Sequence, residues 1–270
     1  MELAEYRINY SSRRDKIVLY PLGDIHFGTR HCDVNLLNKT IAKIRDNPNA
    51  YWIGMGDYCE MITLSDPRFV ASEILPDLYP SLGTLAVAQR DAIIELLKPI
   101  ADKCLGLLEG NHEYEIKNRH YVDIVRDMAR ELRVCYLGNA AMIRLVVYRE
   151  PGNQTSTFYV YAEHGSGGGK KPGGKINALE DMMSNFDADI YLRGHVHTKL
   201  SSKRPMLKLS SKGKLKLMTA TRVCVLTGCY YRSYEVGTSS YAERRGFPPT
   251  ELGTPAVLIT PTTREIEVTT

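Results

Sequence analysis

The stretch Cys104–Glu113, with the sequence CLGLLEGNHE, joins an apolar run to the tetrapeptide Gly-Asn-His-Glu. The apolar run is typical of a short buried strand, and polar residues follow where that strand ends. In layered α/β folds, functional residues gather at the carboxyl ends of strands. Four residues are weak evidence by themselves, so their meaning depends on whether other segments supply partners for Asn111 and His112.

Length and composition are those of an ordinary globular protein. The chain has 270 residues, of which 43% are hydrophobic and 24% charged, and its formal net charge is +4. We interpret it as one domain spanning 1–270, with a motif-bearing part at about 16–200 and a β-rich part at 201–270. The positive charge is too small to identify a nucleic-acid partner by itself.

The cysteines and the N-terminus favour a reducing, cytoplasmic compartment. None of the six cysteines forms a Cys-x-x-Cys pair, and several lie in apolar runs typical of buried free thiols. Residues 1–5 lack the features of a signal peptide, and no apolar run has the length of a membrane span. We therefore expect a cytoplasmic protein without a membrane partner, and we leave open whether it forms a homo-oligomer.

Hydrophobic patterning predicts alternating strands and helices in the first half of the chain. Strands are expected at 16–22, 51–55 and 104–108, with helices at 33–46 and 82–97 between them. This β-α-β-α-β order is typical of a layered α/β fold. The proline-containing connection at 58–81 is a candidate lid or specificity segment.

The second half is predicted to contain mainly β structure. Two helices are expected, at 121–132 and 176–186. The expected strands and short β segments lie at 141–148, 157–162, 190–192, 205–209, 215–219, 223–226, 256–259 and 265–268.

Five of the predicted strands are followed by residues of the kinds that bind transition metals. These residues are Asp24, His26, Asp57, Asn111, His112, His164, His195 and His197. Five of the seven histidines of the chain are in this set, which chance placement would scatter more widely. In an extended backbone, residues two apart point the same way, so Asp24 and His26 face one site together, as do His195 and His197.

The chemistry of this set indicates two divalent metal ions. Carboxylate, imidazole and amide oxygen suit Mn, Fe, Zn or Ni, with Mn as our first choice, rather than Mg or Ca alone. The absence of cysteine argues against a structural zinc site. Eight positions are too many for one ion and suit two, bridged by a carboxylate and about 3.5–4 Å apart. The alternative, ordinary polar residues of loops and core, explains any one motif better than it explains the ordered set.

The order of the motifs resembles the calcineurin-like metallophosphoesterase superfamily. The shared motifs are Asp24-x-His26, Gly56-Asp57, Gly110-Asn111-His112-Glu113, His164 and Gly194-His195-x-His197. The resemblance covers about 16–200. It implies a four-layer α-β-β-α sandwich, two sheets flanked by helices, with the metal site at the carboxyl ends of strands.

The resemblance also implies a role for each matching residue. One metal would take Asp24, His26 and His197, the other would take Asn111, His164 and His195, and Asp57 would bridge them. A hydroxide activated by the two metals would attack phosphorus. His112 would not bind metal but would protonate the leaving oxygen.

Two further positions bear on this assignment. In the phosphoprotein-phosphatase branch, an acid three residues after the bridging aspartate orients the catalytic histidine, and here that position is Glu60. A solvated loop acid is an equally good interpretation of Glu60. Glu113 has no assigned role, and we expect it to hold its loop by hydrogen bonds.

The phosphoprotein-phosphatase branch also has two arginines that hold the dianion of a phosphomonoester. Met61 and Glu109 occupy those positions here, so that cation pair is missing. We therefore expect a phosphodiesterase or nuclease that acts on DNA or RNA. A phosphomonoesterase or protein phosphatase is the first alternative. A non-enzymatic scaffold is the second, and it is disfavoured because every ligand position is filled.

Several basic residues are candidate contacts for such a substrate. Arg193 could supply a cation or a salt bridge behind the site, and His31 lies just past the first motif. Lys170 and Lys171 follow His164. The segment 199–216 has seven cations and no acids, which suits either a nucleic-acid backbone or a solvent-exposed hairpin. The tyrosines and arginines of 229–249 suit base stacking or a protein interface.

Overall fold

The computed structural model describes residues 1–167, 171–210 and 213–269. The fold is mixed α/β. Its strands are β1 (Glu2–Tyr10), β2 (Ile17–Leu22), β3 (Ala50–Gly54), β4 (Cys104–Leu107), β5 (Ala140–Arg149), β6 (Thr155–Glu163), β7 (Ile190–Arg193), β8 (Lys199–Leu209), β9 (Leu217–Thr227), β10 (Ala256–Thr260) and β11 (Glu265–Thr269). Its α-helices are α1 (Val34–Asp46), α2 (Leu85–Leu97), α3 (Asn111–His120), α4 (Ile124–Leu132), α5 (Pro172–Asn185) and α6 (Tyr241–Arg244). Short 3₁₀ helices lie at Ala71–Glu73, Pro76–Thr84 and Lys98–Lys103.

The strands form two mixed sheets. The six-stranded sheet has the order β1-β5-β6-β7-β9-β8, and the five-stranded sheet has the order β11-β10-β2-β3-β4. Strands β2, β3 and β4 are parallel neighbours, and so are β6, β7 and β9. Each sheet therefore has three adjacent strands whose carboxyl ends meet at one edge. The segment after residue 200 supplies strands to both sheets.

The main apolar core joins the two sheets. Leu19 and Ile53 from the five-stranded sheet share one buried cluster with Val160 and Leu192 from the six-stranded sheet. Alternate residues of a strand point to opposite faces, so these strands place their other apolar side chains elsewhere. The sheets therefore pack against each other through a common core.

Helices cover further apolar residues of each sheet. Helices α1, α2 and α4 contribute to a second cluster that contains Trp52 of β3. Helix α5 contributes Leu179 to a third cluster, which contains Tyr191 of β7. The arrangement is consistent with an α/β sandwich, and the predicted α/β class is confirmed.

Helix α1 illustrates how local sequence determines an element. The side chain of Asp33 accepts a hydrogen bond from the backbone N–H of Leu36 at 2.9 Å, which caps the first turn. Leu37, Ile41 and Ile44 recur at helical spacing and are buried. This helix was predicted at 33–46, within one residue of where it lies.

Three parts of the fold differ from the sequence prediction. Strand β1 was not predicted, because it is rich in charged residues and buries fully only Ile8 and Tyr10. Helix α3 was not predicted, because only Glu113 and Ile116 are buried and no apolar stripe marks it. The short β segments expected at 205–226 are two long antiparallel strands, β8 and β9. Within the described residues, no helix is both long and apolar enough to cross a membrane.

Candidate metal centre

Seven candidate ligands reach the site from the ends of five strands. Asp24 and His26 follow β2, Asp57 follows β3, Asn111 follows β4, His164 follows β6, and His195 and His197 follow β7. The Nε2 atoms of His26 and His197 are 2.9 Å apart, so the carboxyl edges of the two sheets adjoin. The parallel pairing within each sheet thus brings distant parts of the chain together.

Five of these seven residues adopt left-handed backbone conformations. The φ angles are 47° at Asp24, 53° at His26, 51° at Asp57, 69° at His195 and 47° at His197. Such conformations cost side-chain-bearing residues about 1–3 kcal/mol each and persist only where surrounding contacts enforce them. Strained backbone conformations of this kind cluster at functional sites, so their presence at five candidate ligands supports a functional site here.

Asp24, His26 and His197 form the first group. Their potential ligand atoms all lie within 4.8 Å of one another. The Nε2 atom of His197 is 3.5 Å from Oδ1 of Asp24. The Nδ1 atom of His26 lies 2.8 Å from Oε2 of Glu60, to which it donates its proton. An imidazole held in this way presents the lone pair of Nε2 to the group, as metal-ligating histidines do.

Asp57, His164 and His195 form the second group, with the same spacing of ligand atoms. The Nδ1 atom of His164 donates to the carbonyl of Met55 at 2.7 Å, so its Nε2 lone pair faces the group. That Nε2 lies 3.3 Å from Oδ2 of Asp57. Oδ1 of Asn111 lies 3.1 Å from the same Nε2 and 2.7 Å from Nδ1 of His195.

The donor set of both groups fits a divalent cation. At most one proton can lie between the two Nε2 atoms of His26 and His197, whereas a cation would be bound by both and by Asp24. Burial would lower the pKa of His164, but the Asp57 carboxylate raises it to about 10. The carboxylates therefore attract positive charge to the site. These buried Asp and His groupings can hold metal ions.

Glu60 contacts both His26 and His112, but not as predicted. Its carboxylate pairs with His26, whereas its backbone carbonyl accepts the hydrogen bond from Nδ1 of His112. Burial would raise the pKa of Glu60, but the hydrogen bond from His26 leaves it lowered. The expectation that the Glu60 side chain orients His112 is therefore corrected, because the carboxylate supports a candidate metal ligand instead.

His26, Glu60 and His112 also lie close enough to be a third group. Within that group, Nδ1 of His26 donates its proton to Glu60, so a hydrogen bond already accounts for the approach of these two side chains. The ring of His112 meets the ring of His26 edge to face, with centroids 4.8 Å apart. Its backbone N–H donates to Oδ1 of Asp57 at 3.0 Å. His112 thus lies beside the two groups.

Glu113 is fully buried and holds the loop that carries Asp57. Its Oε2 accepts from the backbone N–H groups of Asp57 at 3.0 Å and Gly110 at 3.2 Å. Its Oε1 accepts from those of Tyr58 at 2.7 Å and Cys59 at 3.2 Å. Burial raises the pKa of Glu113 to about 7. One carboxylate therefore fixes four backbone groups beside the candidate ligands.

Gly110 allows this close approach. A Cβ atom there would lie 2.1 Å from the backbone nitrogen of Asp57 and 2.2 Å from its Oδ1. Both distances are far below any normal contact. Glycine is therefore required where the end of β4 meets the loop after β3.

A cleft with a volume of ≈ 310 Å³ opens onto the two groups. The part of its lining that belongs to the candidate metal centre comprises His26, Asp57, Asn111, His195 and His197, with His112 beside them. The rest is mainly apolar and aromatic, and it includes Ile62, Val196, Tyr231, Tyr241, Phe247 and Pro248 together with the cations Arg68 and Lys175. The sequence suggested base stacking for the tyrosines of 229–249, but it did not place that loop or the connection at 58–81 beside the candidate ligands.

Of the predicted basic substrate contacts, the structure does not place Arg193 or Lys171 among the described residues that line the cleft. Arg193 pairs with Glu163 and donates to the carbonyl of Ser166 at 2.8 Å, so it is part of a salt bridge beside the site. Lys171 is exposed immediately before α5. Lys170 lies outside the described residues.

His31 does not lie on the surface of the cleft. Its side chain is 0% exposed, and its ring is 5.4 Å from the ring of Tyr231. Its Nδ1 lies 4.0 Å from Oε2 of Glu235. Neither ring nitrogen makes a hydrogen bond to any residue that the structure describes. This burial does not fit a direct contact with substrate.

Most of the basic segment 199–216, for which the sequence suggests either a nucleic-acid contact or a solvent-exposed hairpin, leads away from the candidate metal centre. Strand β8 begins beside the site at Lys199, which pairs with Glu251 at 2.6 Å. It then runs antiparallel to β9, towards the opposite edge of the sheet. At about 3.3 Å per residue, Leu209 lies about 33 Å further along. The lysines of this hairpin are therefore spread along an arm.

No protein-family model matches the chain, and no curated protein matches it significantly. The interpretation of the site therefore rests on its geometry.

Proposed function

We propose that the chain is a metal-dependent phosphoester hydrolase of the calcineurin-like type, and that its substrates are phosphodiesters of nucleic acids or nucleotides. The convergence of two adjoining Asp/His groups at the floor of one cleft carries the proposal. We also propose the four-layer α-β-β-α arrangement, which the three apolar clusters of sheets and helices support.

The residues of the two groups would hold two divalent metals, Mn being the first choice. Asp24, His26 and His197 would hold one, Asn111, His164 and His195 the other, and Asp57 would bridge them. Metals bound there would supply a water of lowered pKa as the nucleophile and neutralise charge on the phosphoryl oxygens. Glu60 and the carbonyl of Met55 hold a proton on Nδ1 of His26 and of His164, so Nε2 is the nitrogen that each ring would offer to a metal.

His112 is the proposed acid for the leaving oxygen. Its Nδ1 is held by the carbonyl of Glu60, which leaves Nε2 to donate a proton when the ring is charged. Burial would lower the pKa of His112, but the carboxylates of Asp57 and Glu60 raise it. The hydrogen bond from the backbone N–H of His112 to the Asp57 carboxylate helps to fix the ring beside both groups.

The charges around the cleft favour a diester over a monoester. Lys117 pairs with the buried Glu109 at 3.2 Å, so its ammonium group is not free to bind a phosphate. The guanidinium of Arg68 is engaged by Asp66 at 2.8 Å. A phosphodiester carries one negative charge and needs fewer cations than a monoester dianion.

The second candidate function is a phosphomonoesterase, and one observation favours it. Arg68 and Lys175 both line the cleft, and rearrangement of Asp66 would free Arg68 to act with Lys175 on a dianion. Burial lowers the pKa of Lys175, which also donates to the carbonyl of Val196 at 3.3 Å. The non-enzymatic scaffold has no comparable support, since both groups of candidate ligands are complete.

Hydrolysis of two aryl phosphates tests this proposal. With Mn²⁺, we expect faster hydrolysis of bis-p-nitrophenyl phosphate than of p-nitrophenyl phosphate, and cleavage of DNA or RNA. His112→Ala should retain its metals by elemental analysis and lose roughly 10²–10⁴-fold in rate. His120→Ala, at the exposed end of α3, is the matched control and should behave as the parent chain.

Two results would count against this assignment. Preference for the monoester would support the second candidate function. Failure to cleave either ester with Mn, Fe, Zn or Ni would remove the enzyme assignment altogether.

A further inference from the structure

The cleft has an aromatic, apolar part that the proposed chemistry does not use. We define the apolar lining as Ile62, Tyr231, Tyr241, Phe247 and Pro248. The Tyr231 ring lies 5.4 Å from the ring of His26 and 6.0 Å from the ring of His197, measured between centroids. The apolar lining therefore begins directly beside the first metal-binding group.

Chain topology brings this lining to the site. Strand β9 runs parallel to β7, so it ends at Thr227 on the same edge of the sheet as His195 and His197. The next residues form an antiparallel bridge between Tyr231 and Cys32. The parallel pairing of β9 with β7 therefore places the start of the loop at 229–249 beside the cleft.

The lining is held in place before any ligand arrives. The Ser240 side chain accepts from the backbone N–H of Glu243 at 3.0 Å, which caps α6 and fixes Tyr241 at its start. Arg244 pairs with Glu73 at 2.6 Å, which ties α6 to the connection at 58–81. The two segments whose roles the sequence left open are therefore joined at the rim of one cleft, and preorganisation of this kind favours binding.

The aromatic side chains of this lining are suited to a flat ring. The rings of Tyr241 and Phe247 are 6.5 Å apart and inclined by 35°, and the guanidinium of Arg245 lies 5.5 Å from the centre of the Tyr241 ring. Aromatic side chains supported by arginine are the common platform for stacking nucleobases.

The size of the cleft limits what can occupy it. At ≈ 310 Å³ it is at the small end of the roughly 300–1,000 Å³ found for small-molecule pockets. A DNA duplex is far too wide for a cleft of this volume, since its major groove alone is about 12 Å wide. The metal-binding groups and the apolar lining together have room for a phosphate and one attached nucleoside.

We propose that the apolar lining binds one unpaired nucleobase, with Tyr241 and Phe247 as its main contacts. The substrate class is then a nucleotidyl phosphodiester that presents a single unpaired nucleotide, either a single-strand end or a small nucleotide diester. This inference rests on the proposed function for the position of the phosphate, but the base-binding surface is separately measurable.

Titration calorimetry in Mn²⁺ with two product-like probes measures the affinity of this surface for a base without requiring catalysis. We expect thymidine 5′-monophosphate to bind roughly tenfold more tightly than 2-deoxyribose 5-phosphate, which lacks the base. Tyr241→Ala should remove most of this ratio, and Tyr241→Phe should keep it, because stacking needs the ring and not the hydroxyl. Tyr159→Ala, an exposed tyrosine on β6, should keep the ratio of the parent chain.

Equal binding of the two probes by the parent chain would overturn the inference, and so would an unchanged ratio in both Tyr241→Ala and Phe247→Ala. Hydrolysis separates this failure from failure of the proposed function. Methyl p-nitrophenyl phosphate lacks a base, and thymidine 5′-p-nitrophenyl phosphate has one. If both are cleaved at the same kcat/KM, the phosphodiesterase assignment is retained and the base site is rejected. Base-dependent binding without any diester hydrolysis would retain the base site and reject the diesterase.

Discussion

Glu60 shows how a single side chain differs in role from the expectation for its position. Its carboxylate fixes the proton of His26 on Nδ1, and its carbonyl holds His112. A partner of this kind orients a metal ligand and raises its basicity. The sequence spacing identified Glu60 as important but could not assign its partner, because two histidines lie within its reach and only the backbone geometry separates them.

Replacing this carboxylate should weaken metal binding. We expect Glu60→Gln to raise the Kd for Mn²⁺ roughly 10–100-fold, since the amide holds His26 with a weaker acceptor. Equilibrium dialysis measures this change, with Glu131→Gln, at an exposed position of α4, as the control. An unchanged Kd would show that Glu60 does not support the first group.

Glu113 makes a different kind of contribution, since its hydrogen bonds stabilise the fold around the site. We expect Glu113→Gln to lower the free energy of unfolding by about 2–4 kcal/mol, because an amide offers one acceptor oxygen to four backbone N–H groups. Urea denaturation of the parent chain and the variant provides the measurement. A loss below about 0.5 kcal/mol, the range of an ordinary surface change, would contradict this role.

At the scale of elements, strands were easier to predict than the segments between them. Strands β2, β3, β4 and β7 are short apolar runs followed by polar residues, so both their presence and their functional ends are visible in the sequence. Helix α3 has few apolar residues, and its start is set by contacts to Asp57 that are remote in sequence. The apolar lining of the cleft depends on the parallel pairing of β9 with β7, which no local pattern reveals.

Substitution of two glycines by alanine should change the stability of the fold in opposite directions. Gly110→Ala should destabilise the chain and displace Asp57, because the new Cβ would overlap its backbone nitrogen. Gly174→Ala should instead stabilise α5 by about 0.5–1 kcal/mol, since nothing lies within 4 Å of a Cβ there. Thermal unfolding distinguishes the two directions. A neutral Gly110→Ala would mean that the ends of β3 and β4 are less tightly packed than described.

For the whole molecule, the sheets form a framework and the strand ends carry the chemistry. The core between the sheets contains apolar residues of both, such as Leu19 and Val160, and needs no metal to pack. The edge with the candidate ligands brings carboxylates and imidazoles together at close range. These two regions should respond differently to loss of a cation.

Chelation of the proposed metals should therefore increase motion at this edge and leave the sheets folded. We expect faster hydrogen exchange at 23–28, 56–61 and 194–198 in excess EDTA, with little change in β5 and β6. Metal at 100 times its Kd adds about 2.7 kcal/mol to the free energy of unfolding, so the Tm should fall on chelation. Uniformly faster exchange throughout the chain would show that the sheets and the edge with the candidate ligands do not unfold independently.

The left-handed backbone at five candidate ligands affects how mutagenesis of the site should be interpreted. At φ near +50°, alanine is disfavoured, whereas asparagine tolerates the conformation better than most residues. An alanine scan would therefore combine loss of a ligand with a change in local backbone preference and overstate the chemical role of each side chain. Asp24→Asn and Asp57→Asn remove a charge and His195→Asn removes an imidazole, but all three retain a residue suited to the turn, so the effects of these changes can be compared with one another.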